Sequence, residues 1–359
     1  MSQSTTAAAE PADVATGTGE GRRPVTVRVS DLRVTIPTAA SLVRPTDGVS
    51  IDVRKGEILG IVGESGSGKT VTCRAMLGLL PTAKTTATGS VSYPGRGVDD
   101  VLGLSPKQLR KHWGSFASMI PQNPMTSLNP VHRIGDQIQE AVAARSRLPK
   151  REQRDRVVEL MRQVGIPAPE RRLRAYPHEF SGGMLQRTLI AIALAGDPEF
   201  LVADEPTTAL DVIIQDQILA TLLELQRSRG MSLVLVSHDL GVIAQTCDRV
   251  GVMYAGQLVE LAETRQLLAA PQHPYTSALL QSMPSAVPPD QELASITGAP
   301  PRLVGMSEVG CRFAPRCEFA EEACSQWPTE LLAVGSKQAR EVRCRRHAEL
   351  VLTGESSMQ

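Results

Sequence analysis

The sequence predicts an α/β fold built around a mainly parallel β-sheet, and three features of the chain lead to this prediction. Short β-rich runs begin at Val25 and then alternate with segments that suit helices. The apolar run Ile58–Val62 passes directly into a glycine-rich turn. Two later apolar runs, 200–203 and 233–236, end in polar residues, as buried parallel strands do at the edge of a sheet.

The turn after Val62 fits the phosphate-loop pattern G-x-x-x-x-G-K-[ST]. Its residues are Gly63, Glu64, Ser65, Gly66, Ser67, Gly68, Lys69 and Thr70. Glycines allow successive backbone N–H groups to surround phosphate oxygens, and the following helix directs its positive end toward them. Lys69 can reach the β- and γ-phosphates, and the Thr70 hydroxyl can bind Mg²⁺. The pattern predicts a nucleoside triphosphate site; the alternative is an ordinary glycine-rich turn.

Three further segments carry side chains that suit phosphate chemistry. One apolar run ends in Asp204, a magnesium ligand, and Glu205, which can act as general base toward an attacking water. The next apolar run ends beside His238, whose imidazole can contact a γ-phosphate. Gln122 adds an amide that can position the water or the metal. Each residue is a weak signal alone, but their order along the chain is a strong one.

A second anion site is predicted where Ser181, Gly182 and Gly183 open a stretch that suits a long helix. A hydroxyl and free backbone N–H groups at a helix start can bind phosphate, although the same residues can simply cap the helix.

Together these motifs resemble those of the ATP-binding cassette (ABC) ATPases, in family order over about residues 25–256. The resemblance assigns the phosphate loop to 63–70, the Q-loop to Gln122, the signature to 181–183, the Walker B pair to 204–205, the D-loop to 209–211 and the switch histidine to His238. Two positions depart from the usual family pattern. Ile36 stands where an aromatic residue usually stacks on adenine, and Met184 replaces a glutamine after the signature.

The resemblance also implies an architecture and roles for these residues. The family fold has a RecA-like core, an antiparallel β subdomain and a helical subdomain. The resemblance implies that the catalytic residues are Glu205, His238 and Gln122. It implies that Mg²⁺ is bound by Thr70, Gln122 and Asp204. The signature residues and Asp211 complete the nucleotide site of a second ATPase subunit in a head-to-tail dimer. This second subunit is expected to be a non-identical paralogue.

Composition limits the possible functions. The chain has 359 residues, of which 42% are hydrophobic, so it can bury a sizeable core and has room for about two domains. Its 38 basic and 38 acidic residues give no net charge, which argues against a nucleic-acid partner. No apolar run approaches the ~20 residues that span a bilayer. If the chain serves transport, other chains must provide the pore.

Composition shifts along the chain predict its division into segments. We expect a disordered tail at 1–24, an ABC nucleotide-binding domain at 25–270 and a helical subdomain within it at about 123–185. Beyond it the chain becomes proline-rich, which predicts a separate extension at 271–350 and a flexible tail at 351–359.

The extension narrows the resemblance to the ATPases of oligopeptide and dipeptide permeases. The segments that carry it are 122–130, 176–179, 273–276, 298–301 and 311–317. The resemblance implies an ATPase of a bacterial peptide importer at the cytoplasmic face of the membrane. Its partners would be two transmembrane permease subunits and an extracytoplasmic substrate-binding protein. Nickel, glutathione or another small solute is an alternative cargo, and a regulatory nucleotide-binding role is an alternative to hydrolysis.

Four of the six cysteines, Cys311, Cys317, Cys324 and Cys344, lie in this extension. Cytosolic proteins rarely keep disulfides, so the clustering suggests a metal site. Four thiolates suit structural Zn²⁺ or an iron–sulfur cluster, and free thiols are a third possibility. The resemblance to peptide-permease ATPases, some of which carry a [4Fe–4S] cluster here, favours the cluster.

Overall fold

The computed structural model describes residues 23–39, 41–80, 82, 84–146, 148–208, 210–282, 295–305, 309–326, 329–335 and 340–354. Most of the predicted N-terminal tail, the end of the C-terminal tail and Ala209 of the predicted D-loop lie outside the described residues. The strands are β1 (Val25–Pro37), β2 (Leu42–Arg54), β3 (Ile58–Val62), β4 (Thr86–Ser92), β5 (Ala117–Ile120), β6 (Phe200–Asp204), β7 (Ser232–Val236), β8 (Arg249–Tyr254), β9 (Gln257–Glu263), β10 (Leu332–Val334) and β11 (Arg340–Val342).

Helices connect these strands. They are α1 (Lys69–Ala75), α2 (Pro106–His112), α3 (Pro124–Ser127), α4 (Ile134–Arg145), α5 (Lys150–Gln163), α6 (Pro169–Arg172), α7 (Gly182–Leu194), α8 (Val212–Arg229), α9 (Leu240–Thr246), α10 (Thr264–Ala269), α11 (Pro274–Gln281) and α12 (Glu322–Gln326). None of the described helices has the length and apolar content that crossing a membrane requires.

The described strands form two sheets. The smaller has the order β2-β1-β4 and is antiparallel, and the larger has the order β10-β11-β9-β8-β3-β7-β6-β5. Strands β8, β3, β7, β6 and β5 of the larger sheet are mutually parallel. The predicted α/β class with a mainly parallel sheet and an antiparallel β subdomain is therefore confirmed.

Burial on both faces explains why the parallel strands read as continuous apolar runs. In β3, Ile58 and Val62 belong to one hydrophobic cluster, whereas Leu59 and Ile61 belong to another on the opposite face. The first cluster includes the helices that follow β5, and the second includes the small antiparallel sheet. Parallel strands covered on both faces lack polar alternation.

The segment between β5 and β6 is helical, as its sequence predicts. In α4, Ile134, Ile138 and Val142 recur every fourth residue and are buried. This spacing places them on one face of a helix, which packs against α5 and α7. Helix α7 in turn contacts β5, which connects the helical segment to the large sheet.

The C-terminal extension joins the large sheet, which its sequence does not predict. Strand β11 pairs with β9, with Glu341 opposite Leu261 and Val342 opposite Glu260. Glu260 is fully buried and accepts hydrogen bonds from Arg340 and from the backbone N–H of His273. Pairing and a buried ion pair therefore attach the extension to the nucleotide-binding core.

Candidate nucleotide-binding and catalytic site

The phosphate loop runs from the end of β3 to the start of α1, and its shape depends on glycine. Gly63, Gly66 and Gly68 have φ angles of 147°, 78° and 100°, which side chains rarely allow. A Cβ atom at Gly68 would lie 1.8 Å from the carbonyl oxygen of Pro45, and one at Gly63 would lie 2.1 Å from that of Met253. Glycine is thus required at both positions by backbone conformation and by close packing.

Lys69 is the first residue of α1 and is 5% exposed. Its Nζ atom donates hydrogen bonds of 2.7 Å to the Gly63 carbonyl and 3.0 Å to the Glu64 carbonyl. Burial lowers the pKa of Lys69 from its ordinary value, although Glu205 and Asp204 favour the charged form. The lysine head group therefore lies inside the loop, at the position from which it can meet phosphate oxygens.

Thr70 and Asp204 bring two oxygen ligands together from α1 and the end of β6. The Thr70 hydroxyl donates a 3.0 Å hydrogen bond to Asp204 Oδ1, and Asp204 Oδ2 is buried with no hydrogen-bond partner among the described residues. Burial raises the pKa of Asp204. A hydroxyl beside an unpartnered carboxylate oxygen matches the ligand preference of Mg²⁺, so these residues fit the metal that the phosphate loop implies.

Glu205 is the centre of a polar cluster just beyond β6. Its Oε2 atom accepts hydrogen bonds from Gln122 Nε2 at 2.8 Å and from the Thr208 hydroxyl at 3.0 Å. His238 Nδ1 lies 3.7 Å from the same oxygen. The Glu205 backbone has a φ of 46°, a left-handed conformation that is costly for a residue with a side chain. The sequence-predicted catalytic residues are thus adjacent at the carboxyl end of the sheet.

The predicted signature residues lie at the start of α7. Ser181 caps this helix by accepting a hydrogen bond from the Met184 N–H at 3.4 Å, and Ser181 and Gly182 are exposed. Asp211 caps α8 by accepting from the Ile214 N–H at 3.0 Å. A Cβ atom at Gly183 would lie 2.6 Å from Ile214, so the two helix starts are neighbours. In the described part of the chain, no hydrogen bond joins the signature to the phosphate loop of the same chain.

Three contacts in this region were not predicted from the sequence. Thr208 binds Glu205, while Tyr275 and Arg316 bind Glu64 of the phosphate loop. Thr208 lies three residues after Glu205 in the sequence, which is the only local signal for its contact. Tyr275 and Arg316 lie in segments that the sequence analysis used only to identify the subfamily. Nothing local in the sequence connects them to the phosphate loop.

The four cysteines of the extension line one cavity, together with His273 and Phe313. Burial raises the pKa of Cys311 and raises the pKa of Cys317 and Cys344 to about 11. Among the described residues, no group of three or more His, Cys, Asp or Glu side chains is arranged to hold a metal ion. The cysteines are therefore brought together, but the predicted metal centre, whether zinc or iron–sulfur, is not seen.

Two family models match the chain. One, described as ABC transporter, matches residues 46–208, and the other, described as oligopeptide/dipeptide transporter, C-terminal region, matches residues 259–324. The chain is 43% identical to the dipeptide transport ATP-binding protein of Haemophilus influenzae, over 88% of this chain and 94% of that protein. It is 41% identical to the oligopeptide transport ATP-binding protein of Salmonella typhimurium, over 91% of this chain and 93% of that protein.

The chain belongs to the ATP-binding subunits of oligopeptide/dipeptide ABC transporters. A protein of Sinorhizobium fredii named "Probable peptide ABC transporter ATP-binding protein" is also similar, with 49% identity over 83% of this chain and 88% of that one. Among solved structures, a dimeric ATP-binding cassette bound to ADP and Pi in a post-hydrolysis state has a TM-score of 0.60 and 25% identity. It covers 67% of this chain and 99% of its own. The subfamily and the ABC ATPase fold expected from the sequence are confirmed, and membership in this family makes the chain an ATPase.

Proposed function

We propose that this chain hydrolyses ATP to drive the import of dipeptides or oligopeptides through partner membrane subunits. The observation that carries the hydrolytic role is the hydrogen bond between Glu205 and Gln122, formed beside the Thr70–Asp204 pair. A general base, a magnesium site and a phosphate loop thereby meet at one sheet edge. The peptide cargo is supported by the C-terminal family model and by relatives named for dipeptide and oligopeptide transport.

Each residue has a defined part in this proposal. Backbone N–H groups of the phosphate loop and Lys69 bind the nucleotide phosphates. Thr70, Asp204 and Gln122 would hold Mg²⁺, which when bound supplies positive charge to the β- and γ-phosphate oxygens. Glu205 accepts a proton from the attacking water, and its contacts with neighbouring side chains hold its carboxylate in place. His238 is 66% exposed at its side chain, so it is accessible to a γ-phosphate.

We also propose a head-to-tail dimer with a second ATPase subunit, which is a non-identical paralogue. Exposed Ser181 and Gly182, at a helix start with free N–H groups, support a role for the signature toward the partner's nucleotide. Asp211 lies beside them and is also exposed. The similar cassette that was solved as a dimer gives independent support. ATP between the subunits would hold the dimer closed, and hydrolysis would release it.

Contact with the membrane would be made through two permease subunits at its cytoplasmic face, and an extracytoplasmic binding protein would deliver the cargo. The segment after Gln122 supports such a contact because Met125 is 67% exposed and Val131 is 74% exposed. Exposed apolar residues close to the catalytic cluster suit a surface that transmits nucleotide state to another chain.

We propose the same segment boundaries that the sequence predicts. The nucleotide-binding domain spans 25–270, its helical subdomain about 123–185, the extension 271–350 and the final tail 351–359. The two family models, at 46–208 and 259–324, support a division into two segments, and the second model begins within the last residues of the predicted nucleotide-binding domain.

We further propose that Cys311, Cys317, Cys324 and Cys344 hold a [4Fe–4S] cluster. Structural Zn²⁺ held by the same four thiolates is the alternative. A cluster spreads its ligands because each thiolate binds a different iron. The cavity that the four cysteines share supports a group bound among them.

The cluster proposal is tested by an anaerobic ultraviolet–visible spectrum with iron, sulfide and zinc measured on the same sample. About four irons and four sulfides per chain with a broad visible band are expected. A colourless chain with one zinc, or with neither metal, would contradict the proposal and leave the ATPase role intact.

The cargo proposal is tested in proteoliposomes that contain the membrane complex assembled with this chain. Labelled dipeptides and longer peptides should accumulate with ATP consumption, while nickel and glutathione should not. Uptake of nickel or glutathione without peptide uptake would contradict the peptide assignment. ATP binding without turnover in the complete complex would favour a regulatory role instead.

A further inference from the structure

Arg316 of the extension and Glu64 of the phosphate loop form a two-point ion pair. Arg316 Nη1 lies 2.8 Å from Glu64 Oε2, and Nη2 lies 3.1 Å from Oε1. The arginine side chain is 7% exposed and that of the glutamate 21%. A bidentate pair that is largely shielded from solvent fixes both the distance and the orientation of the carboxylate.

The guanidinium is held in place by its remaining contacts. Its Nε atom donates to the Thr297 carbonyl at 2.8 Å, and its terminal nitrogens lie 3.4 Å from the Ile296 carbonyl and the Tyr254 hydroxyl. It also lies over the ring of Tyr254, 5.8 Å from its centre. A guanidinium has five N–H donors, so these contacts leave little freedom for Arg316 to move away from Glu64.

A second contact reaches the same loop residue from the extension. The backbone N–H of Glu64 donates a 2.9 Å hydrogen bond to the Tyr275 hydroxyl. The Tyr275 ring packs against Tyr254, with centres 4.6 Å apart, and against Phe313, with centres 5.4 Å apart. Phe313 lines the cysteine cavity. The side chain of Glu64 is therefore held by Arg316, and its backbone by Tyr275, which packs on a residue of that cavity.

Glu64 also contacts Lys69, the lysine of the phosphate loop. The Glu64 carbonyl accepts one of the two hydrogen bonds that Lys69 Nζ donates within the loop. A change in the position of Glu64 therefore moves a direct partner of the lysine head group. The turn that supplies Arg316 begins and ends at cysteines of the cavity, Cys311 and Cys317.

We propose that Arg316 and Tyr275 are positioning residues for nucleotide binding, through which the cysteine-lined extension sets the shape of the phosphate loop. This inference rests on the proposed nucleotide role of residues 63–70. Because coupling between two sites is reciprocal, MgATP at the loop changes the stability of the Cys311–Cys317 turn by the same free energy. Occupation or disruption of the cysteine cavity then alters MgATP affinity.

The first test is MgATP binding by the full-length chain, measured by titration calorimetry. Arg316→Lys, Glu64→Gln and Tyr275→Phe should each weaken binding about fivefold or more, because each removes a contact to Glu64 and leaves the loop free to shift. The Arg316→Lys Glu64→Gln double variant should be no weaker than the worse single variant. The turnover number in the assembled complex should change less than the KM for ATP.

A matched control is Arg28→Lys, since Arg28 forms a similar two-point pair with Asp52 at 3.0 and 3.2 Å, away from the phosphate loop. Its MgATP affinity should equal that of the wild type. Unchanged affinity in all three test variants, or additive losses in the double variant, would overturn the inference while leaving the ATPase role untouched. Failure of the wild-type chain to bind MgATP would instead contradict the nucleotide role itself.

The second test is amide hydrogen exchange over the Cys311–Cys317 turn. If Arg316 only stabilised the fold, nucleotide would not change the exchange rate of this turn. MgATP should slow exchange there in the wild type, and this effect should disappear in Glu64→Gln and Arg316→Lys. The inference would be overturned if MgATP did not change exchange in the wild type. It would also be overturned if MgATP slowed exchange equally in the wild type and in both variants. Because the two variants change opposite partners of one pair, a folding defect in one does not prevent the test with the other.

Discussion

The Thr208 hydroxyl donates a 3.0 Å hydrogen bond to Oε2 of Glu205, the same oxygen that accepts from Gln122. This contact connects the segment after β6 to the carboxylate that is proposed to activate water. Glu205 itself has a left-handed backbone, a costly conformation that the surrounding structure must maintain. We therefore expect Thr208 to influence catalysis through the orientation of Glu205.

Replacement of Thr208 by valine should slow ATP turnover about 10- to 100-fold, since a hydrogen bond to a charged group contributes roughly 1.5–3 kcal/mol. Thr208→Ser keeps the hydroxyl and should restore most of the rate. The measurement is steady-state ATP hydrolysis by the assembled complex. Thr207→Val is the matched control, one residue away. Equal rates for Thr208→Val and the wild type would show that this contact does not orient the base.

We expect the Asp204 carboxylate to lower the stability of the nucleotide-free chain while it provides a ligand for Mg²⁺. Its pKa is raised by burial, so its charged form opposes folding when no cation is present. We expect Asp204→Asn to raise the Tm of the nucleotide-free chain by a few degrees at neutral pH, and to weaken Mg²⁺-dependent ATP binding.

The sign of the pH dependence follows from the direction of this shift. A raised pKa in the folded state favours folding at low pH, and this contribution is lost as the pH rises through the folded-state pKa. The Tm advantage of Asp204→Asn should therefore be larger at about pH 7.5 than at about pH 4, near the ordinary carboxyl pKa. Thermal melts at both pH values check this. An advantage that grows on acidification would contradict the assigned cause.

The buried pair of Glu260 and Arg340 should control attachment of the extension. Glu260 is fully buried and also accepts hydrogen bonds from the N–H groups of Gln272 and His273. Glu260→Gln leaves Arg340 with an uncompensated charge and should cost about 3–5 kcal/mol. Thermal melting should show the loss, and limited proteolysis should cut the C-terminal region sooner.

Glu349→Gln is the control for that change, because Glu349 pairs with Arg346 at 2.9 Å but its side chain is 64% exposed. Exposed pairs contribute little to stability because solvent screens them, so melting and proteolysis should remain close to wild type. If both variants behave alike, the pair at Glu260 does not attach the extension.

The sequence predicts the parallel sheet and the residues of its catalytic edge because both are encoded locally. Ile58–Val62 is a continuous apolar run, and the phosphate loop follows it directly. Asp204, Glu205 and His238 follow the ends of buried strands, and neighbouring parallel strands end at the same edge. Their proximity follows from the parallel pairing of β6 with β7, which places the carboxyl ends of the two strands side by side.

Contacts between the extension and the core could not be predicted in the same way. Arg316 and Glu64 are 252 positions apart, and either residue alone reads as a solvated surface charge. The pairing of β11 with β9 has no local signal either, because β11 contains only three residues. The clustering of four cysteines in the extension predicted a metal site, and the structure brings these cysteines to one cavity.

The most direct test of the central claim is ATP hydrolysis coupled to peptide uptake by the reconstituted membrane complex, with wild-type chain and with Glu205→Gln. Glutamine keeps the size and the hydrogen-bonding position but cannot accept the proton of the attacking water. The variant should retain MgATP binding while ATP turnover falls about 10²–10⁴-fold and peptide uptake stops with it. Turnover and uptake at wild-type rates in Glu205→Gln would contradict the account, because the chain would then not supply the hydrolysis that drives transport.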